Sequence, residues 1–436
     1  MLAVVAAGAW LLVGRDDDGG DDAATGTWDR VVALTDDNNV VVFDADGEEL
    51  DQIGTGLAGV EAGIVHVTGR HVVVHDRDDH VLVVVDVASG DLVELDVPED
   101  STVRPVVGSD VVLHAAPASG GPESVLVNVE LGQRIDLAFS GDVDDDPLFF
   151  QGSARADPTG TRVAVLESRS YRSVVVRFAG DDDVADDALT VDGAPVAVTD
   201  DGLVVAIAGE GRAAIRYLDD AGEEVRTVPV DAPRATLSAA DGSIVVLTGS
   251  GELVRTTADS DDVEEIGSLD LGAEIDYALP AFGDERIVVG AGSSISVFDA
   301  AGDEVATIDD LASTRPQLTG RIGRCVSFGE DEIVTVDTES GDALATTNAS
   351  FVRLTSLDGC TIVVDGPDGS QIVRDGDPVD LGDDVNVQAL APDGASAVVV
   401  DTAREGALVD LDDAEGDPVE LGGDLRQHVF VSADDD

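Results

Sequence analysis

The chain has 436 residues and carries 91 Asp and Glu against 24 basic residues, a formal net charge of −67. It contains no Lys, so every basic residue is Arg. A chain this negative is repelled by nucleic-acid phosphates and by anionic lipid, which sets aside a nucleic-acid partner; its length is ample for a large core.

Residues 2–14 are apolar, shorter than the ~20 residues that span a bilayer. Their length fits a signal-peptide core with Ala7, Gly8 and Ala9 as a small-residue cleavage site, yet no basic stretch precedes them. Two readings stand: an anchor whose true start lies upstream, and a cleaved signal. The acidic, Gly-rich linker at 15–27 predicts export of the chain downstream of it, because cytoplasmic flanks favour Lys and Arg. The expectation is a body over 28–436 outside the cytoplasm, either anchored in the membrane by this one segment or secreted.

From Arg30 onward the chain reads as strands. Hydrophobic residues make up 43% and aromatics only 3%, and β-branched side chains suit a pleated surface. The 48 Gly punctuate the strands at short intervals, as many tight turns require. Arg30 to Ile53 divides into three strands, "RVVALTD", "NVVVFDADG" and "ELDQI". Four of the six His come next in "HVTGRHVVVHDRDDH", with Asp76, Asp78 and Asp79 as carboxylates that a transition metal could recruit. His71 and His75 share a strand face but stand ~13 Å apart, too far to hold one ion. That leaves His66, on a strand predicted to line a central channel, as a weak metal candidate together with His428 near the C-terminus.

Further along, the acidic runs Asp142–Pro147 and Gly180–Asp187 read as solvated loops. Ala194 to Val230 divides into four strands, and Arg286 to Ile308 repeats the pattern of Arg30 to Ile53, including a strand that ends in "FDA". "DADGEE" at Asp44 invites a calcium reading, as does "DGPDGS" at Asp365. A calcium loop of the EF-hand type needs a longer array ending in a bidentate Glu. The sister sequences "DDAGEE" at Asp219 and "DAAGDE" at Asp299 fill the same slot, so all are read as turns. Cys325 and Cys360 open corresponding strands of consecutive units. In an exported protein such a pair predicts one disulfide, provided the turns lean together to within the ~7 Å Cα limit. The chain ends "HVFVSADDD", one strand and the start of a turn.

A turn between the first and second strands of each unit serves as a ruler. It reads "DDG" at Gly202, "ADG" at Gly242, "LDG" at Gly359 and "PDG" at Gly394, with weaker versions between Arg70 and Arg324. Such turns recur roughly every 40 residues, the spacing of β-propeller blades. In its "DG–strand–strand–Gly turn–strand" order, nearly all of 28–436 resembles WD-like and quinoprotein-like propeller repeats. The resemblance implies an all-β propeller of four-stranded blades, about 8–10 units. The Trp-Asp and Gly-His marks of true WD repeats are absent, and so are the adjacent Cys and aromatic floor of a quinone site. No cofactor is therefore expected. The N-terminal unit lacks a first strand and the C-terminus supplies only one, so the two are expected to close a ring together, which removes an exposed sheet edge. One ring is favoured because no linker interrupts the units; the alternative is a second ring inserted into one closed by the termini.

Neither a Gly-x-Ser-x-Gly elbow nor a P-loop or Rossmann fingerprint occurs. The expected function is a non-enzymatic platform that presents loops to a protein or small ligand. The alternative is a hydrolase or lyase with two carboxylates in the central channel. Acids clustered on several first strands would favour the enzyme.

Overall fold

The computed structural model describes residues 28–432 apart from 60–61, 118–121, 138–148, 179–187, 269–275, 282–285, 318–322, 380–384, 414–417 and other stretches of no more than four residues. The segment 1–27 and the acidic runs at 142–147 and 180–187 lie outside the described residues. Every regular element described is a β-strand. The strands form ten antiparallel sheets, each built from strands consecutive in sequence save where the two chain ends share one. In chain order these cover 30–53 with 425–431, 63–96, 101–136, 149–192, 194–230, 233–268, 277–308, 325–347, 351–379 and 386–420. Nine have four strands. The sheet at 325–347 has three, and its missing edge is supplied by an irregular segment: Gln317 N donates to Ser327 O at 2.8 Å and Gly329 N to Arg315 O at 2.9 Å. The chain is a β-propeller.

The described residues fall into two compact units, one over Val97–Asp310 and one formed from both ends of the chain, up to Asp96 and from Leu311. Each unit holds five blades. Within each, the first strand of a blade packs beside the first strand of the next, so first strands are innermost. Fourth strands face outward: Glu49–Ile53 is exposed except at Ile53.

Middle strands explain the Val-rich composition. Val31, Val32, Ala33 and Leu34 are all fully buried, an unbroken apolar run rather than an alternating one. Both faces of a blade are covered, so both need apolar side chains. Alternate residues serve opposite neighbours. Val32 and Leu34 pack with Val72, Val74 and Val83 of one blade, while Val31 and Ala33 pack with Val398 and Leu408 of the other. In the first unit Val163 and Val165 pack with Val112 and Leu126, and Ala164 with Leu203 and Val205.

The ruler turn proves to be a docking device between blades. Gly359 has φ +76°, and a Cβ there would stand 2.2 Å from the Cys325 carbonyl oxygen of the preceding blade. Only Gly meets both conditions. The approach is sealed by Cys325 N donating to Asp358 O at 2.7 Å. The same position is used at Gly160, whose carbonyl accepts from Asn128 Nδ2 at 3.1 Å, and at Gly394, whose carbonyl accepts from Thr361 Oγ1 at 3.3 Å.

The C-terminal strand Leu425–Val431 pairs antiparallel with Arg30–Thr35 and becomes the innermost strand of the N-terminal blade, as the two chain ends predict. Asp29 N donates to Val431 O at 3.2 Å, and the Trp28 ring meets Phe430 edge-on at 4.7 Å.

Candidate functional site: the inner strands

In propellers the inner strands carry few side chains per blade but bring many blades together, so their composition decides what the centre of each unit can bind. Here that composition is one-sided. No Asp or Glu stands on any described inner strand, from Gly63–Thr68 through Asn386–Leu390 to Leu425–Val431. Arg does occur there: Arg104, Arg155, Arg234, Arg353 and Arg426, with Arg315 on the irregular inner edge of the blade at 325–347. Outer strands show the reverse, with Glu49, Asp51, Glu94, Asp96, Glu264 and Glu265 among them. The physical cause is convergence. Carboxylates on strands that approach one another would be both desolvated and mutually repelled, and a buried Arg there is also held back from its charged form: burial draws the pKa of Arg155 down to about 10.

The inner arginines differ in how they are satisfied. Arg353 sits 3.4 Å from Asp365 of its own blade, and its Nη2 donates to Ser370 Oγ and to Asn386 Oδ1 of the next blade, each at 3.2 Å. It is thus a neutralised pin between two blades. Arg315 pairs with Glu330 at 2.9 Å on the surface. Arg426 donates to the side-chain oxygen of Asn38, a neutral partner.

The two His proposed from sequence are placed apart. His66 lies on Gly63–Thr68, beside the face of the closing strand that carries Gln427 and Val429. His428 points the other way, into the apolar seam toward the blade at 386–420, with its Nε2 3.2 Å from where a Cβ on Gly406 would stand. It is 4% exposed, and both ring nitrogens lack a hydrogen-bond partner among the described residues. Burial draws its pKa down to about 4. His114 is buried likewise and falls to about 4 for the same reason, its Nε2 lying 2.5 Å from Ser124 Oγ. Among the described residues no three His, Cys, Asp or Glu gather as metal ligands.

The acidic motifs resolve as caps. Asp44 Oδ1 accepts from Asp46 N at 3.0 Å and Glu48 N at 2.8 Å, and Asp219 repeats this with Ala221 and Glu223. Asp76 is fully buried and accepts from the backbone of Gly59, Asp78 and Asp79. These carboxylates are used by turns, as the repeat of the motif across blades predicts.

Cys325 and Cys360 form a disulfide between consecutive blades, with Cα atoms 5.0 Å apart. The close approach comes from the Gly359 turn, which leans onto Cys325. Arg324 Nη2 lies 3.3 Å from Cys360 Sγ.

No protein-family model and no curated protein sequence matches the chain. Among solved structures it is similar to a eukaryotic initiation factor, with a TM-score of 0.53 and 12% identity over 94% of this chain and 100% of that one. It is also similar to BamB from Moraxella catarrhalis, with a TM-score of 0.44 and 13% identity over 72% of this chain and 98% of that one. For apo AztD from Citrobacter koseri the TM-score is 0.38 and the identity 12%, over 93% of this chain and 98% of that one. The likeness to the initiation factor shows a shared fold, and fold alone does not carry function.

Neither the acid-free inner strands nor Arg426 stands out when the sequence is read linearly. The signal is nonetheless there: setting each Asp and Glu against its position within the repeat exposes the empty column.

Proposed function

We propose that this chain is a non-enzymatic binding platform that works outside the cytoplasm, held at the membrane by its N-terminal segment or secreted. The observation that carries the reading is the composition of the inner strands. A two-carboxylate hydrolase or lyase mechanism needs a pair of acids facing the reacting bond, and the described inner strands supply Arg, Gln, Asn and His instead. Those groups recognise and orient a ligand. A rigid ladder of blades presenting such donors binds at little cost in ordering entropy, because its side chains are already fixed.

The location rests on two features. The Cys325–Cys360 bridge is of the kind that persists in oxidising compartments. The apolar stretch at 2–14, with an acidic linker after it, suits export. Among the described residues no helix is long and apolar enough to cross a membrane. The partner is a protein or small ligand, and the net charge of −67 opposes nucleic acid.

A panel of small sugars, amino acids and organic anions, screened by thermal shift on the full chain with NMR of each stabilising compound, tests this reading. The expected result is stabilisation by at least one compound that is recovered chemically unchanged. Conversion of a bound compound would establish the enzyme alternative instead.

A further inference from the structure

The platform reading leaves the ligand's chemistry open; the closing strand narrows it, and the anion site inferred from that strand rests on the platform reading. The pairing of Arg30–Thr35 with Leu425–Val431 slips between Leu34 and Thr35. Gln427 faces Leu34 and Leu425 faces Thr35, so Arg426 is the extra residue of a β-bulge. Bulges re-aim side chains and are frequent beside functional sites. Here the two side chains flank one seam: Gln427 reaches the next blade directly, while Arg426 reaches the Asn38 turn of its own blade, which in turn holds the segment that enters the next blade. Gln427 Oε1 accepts from Ile64 N at 2.6 Å. Arg426 Nη2 donates to Asn38 Oδ1, and Asn38 Nδ2 in turn holds the carbonyls of Leu57 at 3.2 Å and Gly59 at 2.9 Å.

The donors at this seam outnumber their acceptors. A guanidinium carries five N–H groups. Arg426 spends one on a neutral oxygen, and its buried Nε has no acceptor among the described residues. Other arginines of this chain have found acids: Arg70 with Asp86, Arg172 with Asp192, Arg353 with Asp365 and Arg374 with Asp412. Arg426 differs from these four in that its partner is a neutral amide oxygen. Beside it, Gln427 uses its oxygen on Ile64 and keeps its amide N–H groups to donate. Gly63 faces that amide, and a Cβ there would come within 3.2 Å of it.

We propose that Arg426 and Gln427 bind the oxyanion of a small anionic ligand at the seam between the closing strand and the inner strand Gly63–Thr68. A guanidinium fork and a neighbouring amide match the planar oxygens of a carboxylate or the tetrahedral oxygens of a phosphoryl group. The ligand is small because the acidic body repels polyanions at long range.

The test uses the full chain with two probes, inorganic phosphate and acetate, titrated by calorimetry in low-chloride buffer. Saturable binding of at least one is expected; preference for phosphate assigns a phosphoryl ligand and preference for acetate a carboxylate. Gln427→Glu keeps an acceptor for Ile64 N and places a carboxylate beside Arg426, so binding should weaken about tenfold or more with the thermal midpoint retained. Arg426→Gln should abolish it. Absence of binding by both anions overturns the inference, as does unchanged binding in Gln427→Glu. If neither anion binds while a neutral compound of the ligand panel does, the anion site falls and the platform reading stands. If a panel compound is chemically converted, the platform reading falls and the anion titration is judged by its own result.

Discussion

Single residues in this chain are constrained mostly by what the neighbouring blade leaves for them. His428 shows the energetic side. In the unfolded chain its imidazole takes a proton near pH 6.5, whereas burial delays that step to about pH 4 in the fold. Between those values the unfolded state binds more protons, so stability falls as pH drops from 6.5 toward 4 and is unaffected by this group above 6.5. The loss reaches about 3 kcal/mol at the acid end. His428→Leu should therefore flatten the pH dependence of urea unfolding between about pH 7 and pH 4.5, with its advantage over the native chain growing as pH falls. Parallel curves for the two proteins would show that the imidazole is not held neutral. Gly359 shows the geometric side. The sequence marks it as a turn glycine, which is correct, but the reason it must be glycine is the Cys325 carbonyl of another blade 2.2 Å from its Cβ position. No local pattern reveals a contact between residues so far apart in the chain, and so the motif was legible while its purpose was not.

At the level of elements, the blade was the most readable object. Runs such as Val31–Leu34 and Val72–Val74 are apolar throughout because neighbouring blades cover both faces, and two such middle strands, flanked by an inner and an outer strand between Gly turns, define a unit. The disulfide is a property of a pair of blades. It joins corresponding positions of the blades at 325–347 and 351–379, a sequence separation of 35. Closing a loop of that size removes conformational freedom from the unfolded chain and typically stabilises by ~2–4 kcal/mol. Replacing both cysteines by Ser should lower the guanidinium midpoint accordingly, and reduction of the native chain should reproduce the shift. A midpoint indifferent to reductant would mean the bridge adds nothing to the fold. The pairing itself was legible from two Cys at equivalent repeat positions. Its feasibility was not, since it depends on how far one turn leans onto the next blade.

The whole molecule depends on its ends. The strand Leu425–Val431 fills the inner place of a blade whose other strands lie at 30–53, nearly the full length of the chain away. Its side chains serve both neighbours: Val429 and Val431 pack with Val72 and Val74, and Phe430 packs with Leu408 and Leu421. Truncation after Gly422 should expose the edge of Arg30–Thr35 and leave two apolar seams open to water. We expect a drop of roughly 10 °C or more in the melting midpoint, several kcal/mol for an array of this kind, together with concentration-dependent association. An unchanged midpoint would mean that the closing strand is dispensable.

Strand content, the period of the repeat, the outward acidity and the sharing of one blade by the two chain ends all follow from the order of residues along the chain. Each of these is local or periodic: β-branched runs, Asp-Gly turns at a fixed spacing, and a missing strand at one end matched by a spare one at the other. That first strands converge is expected from the repeat; tertiary structure decided which side chains they bring together and how each is satisfied. The absence of acids on those strands is a column of the repeat, and it becomes visible once the strand bounds are fixed. The slipped register between Leu34 and Thr35, which makes Arg426 a bulge residue beside Gln427 at one seam, is likewise visible only in the fold. Charge repulsion and desolvation act between groups that are close in space, and in this fold those groups come from inner strands of consecutive blades and, at the closing strand, from opposite ends of the chain.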